Sequence, residues 1–214
     1  MKKKVLALFA ASLLGVVSSA YANSNLITNG GFDSGLSGWT TFTTPNGNLG
    51  SGLPIVATFD TTGSGASPAA MFQVGENSYT GAYEGGGISQ TFNVAAGGTY
   101  NFSVNVASLG GIYTNGSGGS FSILVDSSSL ASWNSSSIPA GQTLRSSLVG
   151  SETLTAGNHT LSLLVERPYK EDGTTPYQYL DNVSVAAVPE PETYAMMLAG
   201  LGLMGFMVHR KKTA

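Results

Sequence analysis

Cysteine is absent from all 214 residues of the chain. A protein without cysteine has no disulfide bond, no thiol nucleophile and no thiolate metal site. The free energy of folding must therefore come from side-chain packing and from backbone hydrogen bonds. Between the two hydrophobic ends of the chain about 165 residues remain, which is enough for one domain with a sizeable core.

Basic residues are scarce in this central segment. Residues 23–187 contain three bases, Arg145, Arg167 and Lys170, against ten acids, which gives a net charge of −7 compared with −3 for the whole chain. An acidic surface repels the phosphates of nucleic acid, so this class of partner is excluded. The same charge is compatible with neutral glycans and with divalent cations.

Catalytic motifs are lacking as well. The central segment has one histidine, His159, in an Asn-His-Thr turn, and no nucleophile elbow, zinc-protease motif or phosphate-binding loop. Glu76 with Glu84 or Glu166 is the carboxylate pair that a glycosidase would use, but their spacing in the chain does not fix their separation in space. The sequence favours a protein that is not an enzyme, with a secreted glycan-active hydrolase as the alternative.

The N-terminus has the parts of a secretory signal peptide in the usual order. Residues 2–4 are lysines, residues 5–17 are apolar, and residues 18–22 end in Ala-Tyr-Ala. This pattern predicts export and cleavage after Ala22. A first transmembrane helix is the alternative, and the shortness of the apolar run argues against it.

A second hydrophobic segment closes the chain. The fifteen residues 194–208 carry no charge, and they are flanked by Pro189, Glu190 and Pro191 before and by Arg210, Lys211 and Lys212 after. A helix of this length spans about 22 Å, whereas the hydrocarbon core of a bilayer is about 30 Å thick. We therefore predict a short transmembrane helix over residues 194–208 that anchors poorly, with its basic end in the cytoplasm.

Residues 188–212 resemble the PEP-CTERM sorting signal, which is also known as the ice-binding protein C-terminal domain. The resemblance implies transient anchoring in the inner membrane, followed by cleavage near Pro189-Glu190-Pro191 by a membrane protease of the exosortase type. It also implies delivery to the cell envelope or extracellular matrix of a Gram-negative bacterium. An ordinary single-span anchor remains the alternative.

The central segment, residues 23–187, alternates between apolar and polar residues with the period of a β-strand. The clearest alternation is in residues 88–94 and 100–106, on either side of Gly97-Gly98, and we interpret it as a β-hairpin with one buried face. Residues 26–28 are predicted to form a short first strand. This pattern predicts an all-β, antiparallel jelly-roll sandwich. Further strands are predicted at residues 40–44, 54–59, 70–74, 121–125, 130–133, 144–154, 161–165 and 177–185.

Both ends of the central segment resemble jelly-roll carbohydrate-binding modules, in residues 25–33 with 36–39 and in residues 180–185. Alternation in the last strand would place Asp181 on one face with Tyr177, Tyr179, Val183 and Val185, and a buried carboxylate needs hydrogen bonds or a cation. The resemblance implies a structural Ca²⁺ bound by Asp181, Asp33 and the carbonyl of Gly31.

Sugar rings stack on exposed aromatic side chains, so the aromatic residues of loops and loop edges are the candidate ligand-binding residues. We predict a non-enzymatic envelope or matrix protein that binds exopolysaccharide. An ice-binding protein or adhesin is a further alternative, although the threonines form no regular pattern. The candidates for the ligand site are Tyr83, Tyr113, Trp133 and Tyr169, with Tyr79 and Tyr177 as further members of the set.

Overall fold

The computed structural model describes residues 24–172, 174–189 and 198–202. The residues of unit Asn23–Val188 that are described form one compact body. They contain twelve β-strands: β1 (Thr40–Thr43), β2 (Gly47–Asn48), β3 (Ile55–Phe59), β4 (Ser67–Phe72), β5 (Gly75–Glu76), β6 (Glu84–Val94), β7 (Gly98–Leu109), β8 (Ser120–Val125), β9 (Ser128–Asn134), β10 (Thr143–Leu154), β11 (Gly157–Arg167) and β12 (Tyr177–Ala187).

Ten of these strands form two five-stranded antiparallel sheets. The first sheet has the order β1-β6-β11-β8-β9, and the second has the order β10-β7-β12-β4-β3. The strands β2 and β5 form a separate short pair. The predicted all-β class and antiparallel jelly-roll sandwich are therefore confirmed.

The hydrophobic core lies between the two sheets and follows the alternation in the sequence. In β7 the buried residues Phe102, Val104 and Val106 alternate with more exposed polar residues, and β11 repeats the pattern with Leu161, Leu163 and Val165. Side chains of successive strand residues point to opposite faces, so one face of each sheet is apolar and packs on the other sheet.

The predicted hairpin over residues 88–106 is wrong, because β6 and β7 belong to different sheets. The chain crosses the sandwich at residues 95–97, and Phe92 meets Phe102 edge-on across the core with 6.1 Å between ring centroids. Alternation shows that each strand has one buried face. A hairpin and a crossover both satisfy that pattern, so the alternation could not distinguish them.

The predicted first strand at residues 26–28 is also wrong, since these residues form bends and the start of a turn. The side chain of Asn25 replaces a strand ladder here. Its Nδ2 donates to the carbonyl of Val183 at 2.7 Å, and its Oδ1 accepts from the backbone N–H groups of Ile27 and Val185 at 3.0 and 2.9 Å. An asparagine side chain that bonds to nearby backbone groups commonly replaces regular structure in this way.

The final strand does not keep one parity throughout, contrary to the prediction. Asn182 has a positive φ of 52°, and the pairing with β7 shifts between Asp181 and Ser184. This bulge turns Val183 and Val185 into the core, while Tyr179 packs in a separate apolar cluster with Ala69 and Ala107. A bulge adds one residue to a strand, so the residues before and after it point to opposite faces.

Within the described residues, no helix has the length and hydropathy needed to cross a bilayer. Residues 198–202 are helical. The predicted signal peptide, residues 1–22, and the rest of the predicted helix over residues 194–208 lie outside the described residues, and so do Glu190, Pro191 and the basic end.

Candidate functional site

Three loops meet at one end of the sandwich, and they carry four of the tyrosines singled out by the sequence. Antiparallel pairing places the start of β6 beside the end of β11, and a hydrogen bond from Arg167, the last residue of β11, to Ser117 brings the loop after β7 to the same end. The loop before β6 contains Tyr79 and Tyr83, the loop after β7 contains Tyr113, and the loop after β11 contains Tyr169.

The side chains of these four tyrosines are 40–68% exposed, and Ile112 beside Tyr113 is also exposed. We call these five residues the tyrosine surface. Only two other large hydrophobic residues of the described sandwich, Ile55 and Val149, are comparably exposed. Exposed apolar side chains that gather in one region of a surface commonly mark a binding site.

Arg167 joins two of the loops from beneath. This residue ends β11 and is buried. Its Nε donates to the carbonyl of Ser117 at 2.9 Å, and its Nη2 donates to Oδ1 of Asn115 at 3.4 Å. Burial lowers the pKa of Arg167 to about 10, so the guanidinium remains charged at neutral pH. Its Cζ lies 5.6 Å from the ring centroid of Tyr169, within the range of a cation–π contact.

Glu76 holds the loop that carries Tyr79. The carboxylate of Glu76 is buried and accepts the backbone N–H groups of Thr80 and Gly81, the latter at 2.9 Å. Its backbone N–H donates to the carbonyl of Tyr169 at 2.8 Å. The loops before β6 and after β11 are thus tied together by a buried acid and a backbone bond, which fixes the bases of two tyrosine-bearing loops.

The other candidate aromatics lie elsewhere. Trp133 is part of β9 and is half-buried, and its ring packs against Phe121 at 5.5 Å between centroids. The neighbouring Asn134 donates from Nδ2 to the hydroxyl of Tyr83 at 3.3 Å. Tyr177 begins β12 and packs against the apolar cluster around Tyr179. The structure therefore places Tyr83, Tyr113 and Tyr169 on the same end and leaves Trp133 out of the tyrosine surface.

The residues of the predicted calcium site differ strongly in environment. Asp33 is exposed, whereas Asp181 is fully buried. The carboxylate of Asp181 accepts hydrogen bonds from the hydroxyl of Ser67 at 2.6 Å and from the backbone N–H of Asn182 at 2.6 Å. No group of three or more His, Cys, Asp or Glu side chains suited to a metal ion occurs among the described residues. Calcium binding by Asp33, Asp181 and Gly31 stays a prediction.

The carboxylates proposed as a hydrolase pair are not equivalent. Glu76 is engaged by the loop that it holds, as described above. Burial raises the pKa of Glu166, and the nearby negative charge of Glu84 raises it further. These two residues come from adjacent strands, where Glu166 is paired with Gly85 and Glu84 with Arg167.

A second feature, on the outer face of the second sheet, was not predicted from the sequence. There the rings of Phe59 and Tyr179 stack with centroids 3.7 Å apart and planes within 4°. Burial raises the pKa of Tyr179 to about 12. Beside this pair, loop 60–66 lies next to polar residues of β7 and β10. The alternating pattern assigns these polar residues to a solvent face, and only the fold shows that the loop lies beside them.

Comparison with known protein families finds a match for one segment of the chain. Residues 187–211 match the model of the PEP-CTERM protein-sorting motif. This motif indicates a bacterial protein that is exported and then anchored or processed at the cell envelope. No curated protein matches the chain.

Three solved structures have a similar arrangement of strands. The CBM61 module TmCBM61, solved with β-1,4-galactotriose, is 12% identical, covers 77% of this chain and 99% of its own, and has a TM-score of 0.45. The CBM22-1 xylan-binding domain of Paenibacillus barcinonensis Xyn10C is 14% identical, with 80% and 99% covered and a TM-score of 0.45. The CBM22-1–GH10 modules of Clostridium thermocellum xylanase 10B, solved with xylohexaose, are 18% identical, with 78% and 29% covered and a TM-score of 0.46. At these values the neighbours say nothing about what this chain binds.

Proposed function

We propose that this chain is a non-enzymatic protein of the cell envelope or extracellular matrix of a Gram-negative bacterium, and that its sandwich domain binds exopolysaccharide through the tyrosine surface. The observation that carries the proposal is the gathering of Tyr79, Tyr83, Tyr113 and Tyr169 on loops at one end of the sandwich. The sorting motif at residues 187–211 supports the proposed location at the cell envelope, where exopolysaccharide occurs.

Tyrosine suits this ligand for a physical reason. The apolar C–H face of a pyranose ring packs on an aromatic ring, while the phenol hydroxyl exchanges hydrogen bonds with sugar hydroxyls. The hydroxyl of Tyr83 is oriented by Asn134, and the loops are held from below by Arg167 and Glu76. A preformed surface loses less conformational entropy on binding than a mobile one.

The charge of the domain favours a neutral polysaccharide over a strongly anionic one. With three bases against ten acids in residues 23–187, the sandwich repels polyanions at low ionic strength. The tail supports the route: an exosortase-type membrane protease would cut near Pro189-Glu190-Pro191 after transient anchoring in the inner membrane, and the N-terminal signal peptide would already have been removed after Ala22.

The test is affinity electrophoresis of the full-length protein, in a sugar-free detergent, through gels that contain exopolysaccharide from the producing cells. Tyr113→Ala and Tyr169→Ala should each weaken retardation about tenfold, which corresponds to about 1.4 kcal/mol. Val149→Ala, at an exposed apolar position outside the tyrosine surface, is the matched control and should migrate as the wild type does. Equal retardation of all three variants would refute the proposed site, and no retardation of the wild type would refute the function.

One observation favours a second candidate function. A carboxylic acid with a raised pKa beside a carboxylate is the arrangement that glycoside hydrolases use, and Glu166 beside Glu84 has this character. A hydrolase would release reducing ends from the same polysaccharide, and Glu166→Gln would abolish the release. Under the leading proposal the wild-type protein releases none.

Calcium is the remaining element of the proposal. If Ca²⁺ joins Asp33 and Asp181, the addition of Ca²⁺ after chelation should raise the melting temperature, because a ligand that binds only the folded state stabilises it. Asp33→Asn should remove the increase. A melting temperature that is the same with Ca²⁺ and with chelator would end the calcium prediction without affecting the tyrosine surface.

A further inference from the structure

A shallow cavity of about 250 Å³, open to solvent, lies on the outer face of the second sheet. Its wall is formed by loop 60–66, which follows β3, and its floor comes from β7 and β10. The volume lies just below the range of about 300–1,000 Å³ typical of pockets for drug-sized ligands, so one small ring fits. The lining residues are Thr61, Thr62, Asn105, Arg145, Ser146 and Ser147.

Several polar groups of this cavity have no partner among the described residues. The amide of Asn105 and the hydroxyl of Ser147 make no hydrogen bond to another described side chain or backbone group. Arg145 uses only Nε, which donates to the carbonyl of Asp60 at 2.8 Å. Its Nη2 is 3.8 Å from Oδ2 of Asp60, so both Nη groups still have N–H donors to offer. The cavity therefore presents unused donors and acceptors side by side.

The charges at the cavity nearly cancel. The guanidinium of Arg145 faces the carboxylate of Asp60. Desolvation raises the pKa of Asp60, but hydrogen bonds from backbone N–H groups of loop 60–66, together with the charge of Arg145, outweigh it and lower the pKa overall. An anionic ligand would have to compete with Asp60, and a cationic ligand would have to compete with Arg145. A neutral ligand can use the guanidinium as donor and the carboxylate as acceptor at the same time.

The chemistry of the lining selects one class of neutral ligand. None of the six residues is aromatic or purely aliphatic, so the cavity offers neither a stacking surface for a nucleobase nor a pocket for an apolar side chain. Hydroxyls donate and accept at once, and two adjacent hydroxyls match an arginine–aspartate pair. A ring that carries several hydroxyls satisfies all the free groups of the cavity.

We infer that this cavity is a binding site for one ring of a neutral saccharide, separate from the tyrosine surface. The site lies on the second sheet, whereas the tyrosine surface is made of loops at the end of the sandwich. Asn105, Ser147 and Arg145 bind the ring hydroxyls, and Asp60 positions Arg145. The inference does not depend on the proposed function of the tyrosine surface, because it uses none of its residues.

The test is saturation-transfer difference NMR on the full-length protein in a sugar-free detergent, with the methyl glycosides of glucose, galactose and mannose as separate probes and with glucuronate as an anionic probe. Asn105→Ala and Ser147→Ala are the site variants. Asn101→Ala and Ser151→Ala are matched controls, since these residues occupy the same outer face of the same two strands and pair with each other. Thermal unfolding of each variant confirms that it is folded.

We expect transfer to at least one neutral methyl glycoside, and a three- to tenfold weaker apparent affinity in Asn105→Ala and Ser147→Ala, as for the loss of one or two hydrogen bonds. The control variants and Tyr113→Ala should bind as the wild type does. Transfer to glucuronate alone would identify an anion site and overturn the inference. Absence of transfer to all neutral probes, or equal binding by site and control variants, would overturn it too. Loss of signal in Tyr113→Ala would assign the binding to the tyrosine surface and would likewise overturn it.

Discussion

Replacement of Arg167 by methionine should loosen the tyrosine surface, although Arg167 itself is buried beneath it. The guanidinium donates to the carbonyls of Ser117 and Val74 and to the side chain of Asn115, at 2.9, 3.3 and 3.4 Å. Methionine fills a similar volume but donates no hydrogen bond, so these three acceptors lose their donor. A buried acceptor without a partner costs about 1–3 kcal/mol.

A second contribution acts in the opposite direction. Burial lowers the pKa of Arg167 from its ordinary 12.5 to about 10, which corresponds to about 3 kcal/mol against the charged form. Methionine removes this penalty, whereas the three lost bonds sum to roughly 3–9 kcal/mol. The difference is about 0–6 kcal/mol, so we expect Arg167→Met to reduce the free energy of unfolding by about 3 kcal/mol, the middle of that range.

Urea unfolding measures this change, and hydrogen exchange locates it. Amide protons of residues 115–118 should exchange faster in Arg167→Met, and affinity for exopolysaccharide should fall even though no contact residue is altered. Lys170→Met is the matched control, because it removes an exposed positive charge from the adjacent loop. The reasoning fails if Arg167→Met unfolds within about 0.5 kcal/mol of the wild type and its loop amides exchange at the wild-type rate.

Three further predictions concern stability. Burial raises the pKa of Tyr179 to about 12, so the neutral phenol contributes stability that is fully present below its unfolded pKa of about 10 and is lost by pH 12. Tyr179→Phe should therefore flatten the alkaline decline in melting temperature, and an unchanged decline would contradict this prediction. The hydrogen bond to Asp126 at 2.6 Å raises the pKa of His159, so this pair contributes about 0.2–1 kcal/mol of stability that is present below pH about 6.5 and lost as the pH rises through the raised pKa. His159→Gln should therefore lower the melting temperature more at pH 5 than at pH 9, and an equal decrease at both values would refute the prediction. A Cβ at Gly87 would overlap the carbonyl of Leu163 in β11, so Gly87→Ala should reduce the free energy of unfolding in urea by about 1–3 kcal/mol. Gly98→Ala is the control and should leave it unchanged, because the space around Gly98 is open; similar reductions in both variants would contradict the prediction.

The strands were predictable from sequence because their alternation is a local property. Residues such as Phe102, Val104 and Val106 recur with period two whatever the strand pairs with, and the structure finds them buried. Pairing partners are not local, so the same pattern wrongly suggested a hairpin at Gly97-Gly98. The bulge at Asn182 was equally hidden, since a positive φ at asparagine leaves no repeated signal in a sequence.

The two candidate sites differ in how far the sequence could indicate them. Tyr83, Tyr113 and Tyr169 stand in segments rich in glycine or charge, which predicts loops and therefore exposure. The saccharide cavity combines Asn105 and Ser147, which look like ordinary solvent-facing strand residues. The pairing of β7 with β10 brings these two residues together, and the fold then places loop 60–66 beside them.

The crossing of the chain between sheets at residues 95–97 has a consequence for biogenesis. In the described part of the chain only β3–β4 and β8–β9 join neighbouring strands as hairpins. The pairing of β6 with β11, and of β7 with β10 and β12, must therefore wait for strands that come much later in the chain. Proteins dominated by such distant pairings fold slowly, on the scale of milliseconds to seconds. We therefore expect an exported chain of this topology to remain unfolded until its last strands emerge, and to complete its fold after it has crossed the membrane.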